Sequence, residues 1–278
     1  MHNIQIGKLS VHVFATFIIA FVFFFSLAKI TPHPVLTVNG GSHIGLIYSI
    51  VFKKSFEIIG GPADTSSFQG KYYSNKPPGL AFAVATPYMI YNKLTEKNLD
   101  LSIEEQKVLE FLRMANMTIS KEKQKIFEFL KVFNVLLSSL SVVLVLVLLT
   151  TFDLSLTSVY IGVIAAFCGT IYPAYGIFAT SIPLSVFLCL LVILTYRLYK
   201  KTRQRSFFLI STVCISYASI VDYSNIFFLI PIAVLLIKQI KDAPKLIFFS
   251  IPSLFPLLLI IVYNYLIFGE FFVLSYSY

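Results

Sequence analysis

Tryptophan is absent from these 278 residues, and only 13 side chains are acidic. With 13% charged residues against 57% hydrophobic ones and a mean hydropathy of +0.83, the chain has too little polar surface for a water-soluble domain. That excludes the soluble enzyme classes and predicts a polytopic membrane protein. The missing tryptophan leaves the usual aromatic positions at a bilayer interface to 16 tyrosines and to phenylalanine. Cysteine is almost as scarce. Cys168, Cys189 and Cys214 all lie within apolar runs, without the spacing of a metal or redox site, and read as small buried hydrophobes. No HxxxH or DxD pattern occurs, so no metal is assigned; a divalent cation is compatible with the composition but has no identifiable ligand set, and the cofactor is left unknown. The net charge of +9 does not point to nucleic acid, because the basic residues fall at the ends of apolar runs, where they orient helices in a membrane.

The first long apolar run, residues 11–30, follows Lys8 and has no small-residue cleavage motif, so it predicts a retained first helix with a cytoplasmic N-terminus. Six further spans are expected at residues 126–150, 156–177, 183–199, 207–222, 226–237 and 246–268. Residues 79–93 are not counted, being too short and interrupted by Pro87. This count puts Arg197, Lys200, Lys201, Arg203 and Arg205, and then Lys238, Lys241 and Lys245, in cytoplasmic turns. The expected fold is an all-α, polytopic transmembrane bundle of about seven spans, one module over 1–278. Residues 31–125 form a long extracytoplasmic loop carrying interfacial helices, and 126–268 the six further spans.

Within the loop, Ile44, Ile47, Tyr48, Val51 and Phe52 form one apolar stripe, which predicts a short amphipathic helix on the bilayer surface, with His43 meeting lipid headgroups. Ser102 and Glu105 have capping-box spacing at the start of a charged helix, and Asn116-Met117-Thr118 is a glycosylation sequon. Between these lies Gly70-Lys71-Tyr72-Tyr73-Ser74-Asn75-Lys76-Pro77-Pro78-Gly79, the stretch richest in chemistry. Pro77 and Pro78 enforce an extended entry and an abrupt helix start, which presents Lys76 beside the partial positive charge of a helix N-terminus. That combination suits a phosphate or a carboxylate. The string also suits an ordinary loop-to-helix junction.

The order of motifs resembles the membrane-embedded GT-C glycosyltransferases, in the branch of protein O-mannosyltransferases and lipid A aminoarabinose transferases. SHIGLIYSI is similar to the first interface helix and KPPGLAFAV to the second. Gly169-Thr170-Ile171-Tyr172-Pro173, Val221-Asp222-Tyr223 and YNYLIFG are similar to the outer ends of later spans. The resemblance implies transfer of a sugar from a polyprenyl-phosphate donor to a glycan, lipid or protein acceptor on the extracytoplasmic face of the cell membrane. Lys76 would bind the phosphate, with Tyr72, Tyr73 and Asn75 as polar neighbours. The family's catalytic carboxylate just after the first span is replaced here by Asn39, so Asn39 becomes the candidate catalytic position, with Asp64 and Asp222 as candidate acids from elsewhere and Glu270 as a weaker third. Family members also run on past seven spans, and the tyrosine-rich end of this sequence reads as the start of a further loop, as in a fragment or a degenerate copy. A non-catalytic relative that keeps the lipid-carrier groove and serves as a binding or partner subunit is the alternative function. A transporter ranks third, because the spans hold almost no charges for a relay.

Overall fold

A computed structural model describes residues 6–30, 38–59, 64–95, 120–178 and 180–273. The sequon at Asn116 and the charged helix expected from Ser102 lie outside the described residues. Helix α1 (Ile6–Ile30) is followed by α2 (Val38–Tyr48), which runs directly into a π-helical turn (Ser49–Lys53). A hairpin of β1 (Thr65–Phe68) and β2 (Lys71–Ser74) leads to α3 (Gly79–Thr95). Then come α4 (Lys121–Thr150), α5 (Leu156–Cys168), a single turn (Tyr172–Tyr175), α6 (Ile182–Thr202), α7 (Arg205–Val221), α8 (Asn225–Asp242) and α9 (Leu254–Phe268).

The architecture is helical as expected, with four stretches long and apolar enough to cross a membrane: Leu9–Ile30, Lys121–Thr150, Ile182–Thr202 and Pro244–Phe268. Large apolar side chains point away from the protein along them and along α8, among them Phe14, Ile19, Phe227, Phe228 and Leu266. An apolar exterior of this extent suits hydrocarbon rather than water.

The remaining expected spans are corrected in detail. Residues 156–177 are not one helix. α5 has 13 residues and stops at Gly169, where an added Cβ would sit 2.6 Å from the Ala165 carbonyl oxygen, and Pro173 starts a separate turn. α7 has 17 residues, while α8, which contains Pro231, outruns the expected 226–237 and ends among Lys238, Lys241 and Asp242. The last span is broken by two 3₁₀ turns before α9 begins, Pro244–Leu246, which a proline opens, and Ile251–Ser253, which has Pro252 as its second residue.

Side-chain bonds show which helix ends lie together. The Arg197 guanidinium donates to the Thr151 carbonyl at 2.8 Å and stacks on Phe152, joining the C-terminal ends of α6 and α4. Arg203, in the α6–α7 turn, donates to Gln239 near the end of α8 at 2.9 Å. The basic turns are therefore gathered at one end of the bundle. At the other end, Asn134 in the middle of α4 donates to Thr180 at the start of α6, and the start of α3 rests on the last turn of α7. The charged first turns of α4 extend past the start of α6, since 30 residues make a helix of about 45 Å.

α2 does not lie on a surface. Ile44, Leu46 and Ile47 are fully buried, and so are Ser42 and His43 on the helix's other sides, because α3, α4 and β2 close around it. The apolar stripe marks one packed face; the polar face packs as well. The expectation that His43 meets headgroups is thereby corrected.

Candidate functional site

The hairpin is the element that the sequence reading missed. Gln69 and Gly70 both have positive φ (50° and 75°), the left-handed pair that a two-residue hairpin turn requires, and glycine adopts it without strain. The register pairs Phe68 with Lys71 and Thr65 with Ser74. One step further along the ladder, Asp64 falls opposite Asn75. The Asn75 amide donates to Asp64 Oδ1 at 2.5 Å, and Lys76 Nζ lies 3.1 Å from Asp64 Oδ2. Two residues named separately from the sequence are thus one ion pair, about 15% exposed on each side.

The same register separates the two tyrosines. Adjacent strand residues face opposite ways, so Tyr72 is exposed while Tyr73 is buried against Phe268, with ring centroids 6.0 Å apart. Neither lines the cleft described below.

Beyond Lys76, α3 begins against the backbone of α7. A Cβ at Gly79 would lie 2.4 Å from the Ile220 carbonyl oxygen and 2.6 Å from the Val221 nitrogen, so only glycine permits the approach. Tyr217 of α7 donates to the Gly79 carbonyl at 2.9 Å and fixes the contact. This docking carries Lys76 to the C-terminal end of α7, where Asp222 caps the turn into α8. Asp222 Oδ1 accepts from the Ser224 N–H at 3.0 Å and from its hydroxyl at 2.8 Å.

Between them opens a cleft of about 450 Å³. Its walls are Lys76 and Pro77 from the loop before α3, His43 from α2, Tyr175 from the single turn, residues 180–182 at the start of α6, and Asp222 with Tyr223 and Ser224. Four regions distant in sequence, at residues 43, 76–77, 175–182 and 222–224, therefore meet at one point, at the end of the bundle opposite the basic turns. A second, apolar hollow of about 370 Å³ adjoins it at Tyr223, lined mainly by Leu257, Ile260 and Ile261 of α9 and by Phe271 and Phe272.

No family model matches the chain, and no curated protein or solved structure matches it either. The reading of the cleft therefore rests on its own geometry.

Among the described residues the cleft is lined by one cation, Lys76, one carboxylate, Asp222, and a histidine held neutral. Burial pushes the His43 imidazole down to about 4, helped by the nearby Lys76 charge and opposed by Asp64 and Asp222. The described residues contain no cluster of three or more His, Cys, Asp or Glu that could hold a metal. Asn39 lies in the first turn of α2, four residues before His43; its backbone is described and its side chain is not. Glu270 follows α9, is exposed and does not line the cleft. Of the residues expected from sequence, Lys76 and Asp222 line the cleft, and Asp64 and Asn75 support Lys76. His43, Tyr175 and Tyr223 are additions. For both tyrosines the signal was at hand, since Tyr223 stands within the Val221-Asp222-Tyr223 motif and Tyr175 follows Pro173 by two residues.

Proposed function

We propose that the chain is a membrane-embedded glycosyltransferase that takes a sugar from a polyprenyl-phosphate carrier and passes it to an acceptor. The observation that carries this reading is the convergence of Lys76, Asp222 and His43 on one cleft beside an apolar hollow. A lipid-linked sugar phosphate needs those parts: a cation for the phosphate, polar walls for the sugar and a greasy channel for the lipid. Asp64 pairs with the Lys76 ammonium at 3.1 Å, which restrains this cleft-lining side chain before ligand arrives. Lys76 binds the phosphate and stabilises it as it leaves. The positive-inside rule then puts the basic turns in the cytoplasm and the cleft on the extracytoplasmic face, with seven crossings in a GT-C-like arrangement.

The test is binding of a short-chain prenyl phosphate to the full chain in nanodiscs. Lys76→Glu is expected to weaken it at least tenfold, and Lys76→Arg to restore it partly, since a planar fork does not replace a point charge. Unchanged affinity in Lys76→Glu would reduce the lysine to a structural role. A second reading, a carrier-binding subunit without transferase activity, is favoured by one feature: Asp64 is already engaged by Lys76 and Asn75 and does not line the cleft. Prenyl-phosphate binding without release of sugar from any prenyl-phosphate hexose would select that reading.

A further inference from the structure

His43 is an odd residue to bury in an apolar bundle. It is 1% exposed, its Nδ1 has no hydrogen-bond partner among the described residues, and it is one of the residues that line the cleft. A buried polar atom left without a partner is destabilising, so a purely structural histidine would be expected to have found one. The neighbouring Ser42 has done so: its hydroxyl meets the Ser74 hydroxyl at 2.7 Å and pins α2 to β2. That bond also holds the helix turn that carries His43.

We propose that His43 is the general base of the cleft, taking the proton from the acceptor hydroxyl as the sugar is transferred. The inference rests on the transferase reading and names the residue that performs its proton transfer. In the step, the acceptor O–H gives its proton to an unprotonated ring nitrogen of His43 while its oxygen forms the bond to the anomeric carbon. The bond from that carbon to the phosphate oxygen breaks, and its electron pair leaves on the prenyl phosphate held by Lys76. The acid–base groups around the cleft support this assignment over the carboxylates. Asp64 has one oxygen bonded to Asn75 and the other beside Lys76. Asp222 Oδ1 accepts two bonds from Ser224 and fixes the α7–α8 turn. Both carboxylates favour a charged imidazole, while Lys76 disfavours it; Tyr175 and Tyr223 complete the titratable lining. A phosphate anion arriving at Lys76 offsets the lysine's charge, so the ring enters the reaction neutral and becomes more basic when substrate binds.

Water can serve as the acceptor, which makes a test independent of the natural one. Full-length protein in nanodiscs is given a panel of citronellyl-phosphate hexoses, and release of citronellyl phosphate is followed from pH 5 to 9. The wild type is expected to show kcat rising with pH through one ionisation. His43→Gln is expected to lower kcat by about 10²-fold or more with KM within threefold, and to lose that ionisation. A His43→Gln kcat within threefold of wild type overturns the proposal, as does loss of the ionisation in Asp222→Asn with its retention in His43→Gln. In parallel, the ¹⁵N signals of the His43 ring are titrated with and without citronellyl phosphate. An upward movement of the ring's titration on binding supports the assignment. Binding with no movement overturns this inference alone, whereas failure of the wild type to bind citronellyl phosphate overturns the transferase reading itself. Binding without turnover of any hexose leaves the carrier-binding reading and removes the base.

Discussion

At the basic end of the bundle, Lys200, Lys201, Lys238 and Lys241 are exposed, and the arginines that make contacts reach neutral groups, Thr151 and Gln239. At the cleft end, Lys76 and Asp64 are mostly enclosed and paired, and His43 is buried uncharged. The same residue types are thus held at low cost where water reaches them and at high cost where it does not. Orientation in a membrane needs only the first arrangement, because it depends on where charge sits and not on its geometry. Chemistry needs the second, because a charge excluded from water acts strongly on whatever shares its cavity.

The largest effect is therefore expected from breaking the enclosed pair. Lys76→Met leaves Asp64 without its cation in a largely enclosed site and should cost about 3–5 kcal/mol, discounted toward the low end by the residual exposure of both partners. Thermal unfolding in detergent measures this, and the double variant Lys76→Met/Asp64→Asn should recover most of the loss. A next effect, about 1–3 kcal/mol, is expected from Gly79→Ala, whose methyl would meet backbone rather than a movable side chain. A Gly79→Ala protein as stable as wild type would show that α3 and α7 can part at no cost, and the cleft would lose its principal brace.

His43 supplies a third comparison, between pH values. Its folded value is held at about 4, below the ordinary 6.5, so the unfolded chain takes up the proton first as pH falls. The contribution is fully present above about pH 6.5 and is lost as pH falls toward 4. Between pH 7 and pH 5 the protein should lose about 2 kcal/mol through this group alone. His43→Leu should flatten that part of the stability profile. An unchanged profile would mean that the imidazole protonates freely in the folded state.

What could be read in the sequence divides along the same line. The helical architecture, the basic turns and the helix start after Pro78 were legible, because each depends on residues close together in the chain. Lys76 was legible for the same reason. The break at Gly169 had local signals, a glycine followed by Pro173, which were passed over in favour of one long apolar run. The partnership of Lys76 with Asp64 required the hairpin register, and Gln69-Gly70 was its one local sign. Tyr72 and Tyr73 were grouped as neighbours because adjacency in a loop suggests adjacency in space, whereas a strand sends them to opposite faces. His43 was out of reach for a different reason. An apolar stripe on α2 shows one face in need of burial, but nothing in the helix itself says that β2, α3 and α4 enclose the polar face too.

The smallest effect should come from the basic end, where it sharpens the contrast most. Lys200→Ser and Lys201→Ser remove exposed charges that make no ion pair among the described residues, so each should change unfolding stability by less than about 0.5 kcal/mol. Their effect should appear in orientation instead. With single cysteines in place of Lys71 and Gln204 on a cysteine-free background, an impermeant maleimide should label the two from opposite sides of the membrane. Both sites are exposed in the structure, one on the hairpin and one in the α6–α7 turn, so failure to label would not reflect burial. Removing Lys200, Lys201, Arg203 and Arg205 together should produce a fraction of molecules in which the two sites exchange sides. Labelling of both cysteines from one side in the unaltered protein would defeat the expected topology. It would also place the cleft and the basic turns in the same compartment, which their separation along the length of α6, about 30 Å for 21 residues, makes a demanding result to accommodate.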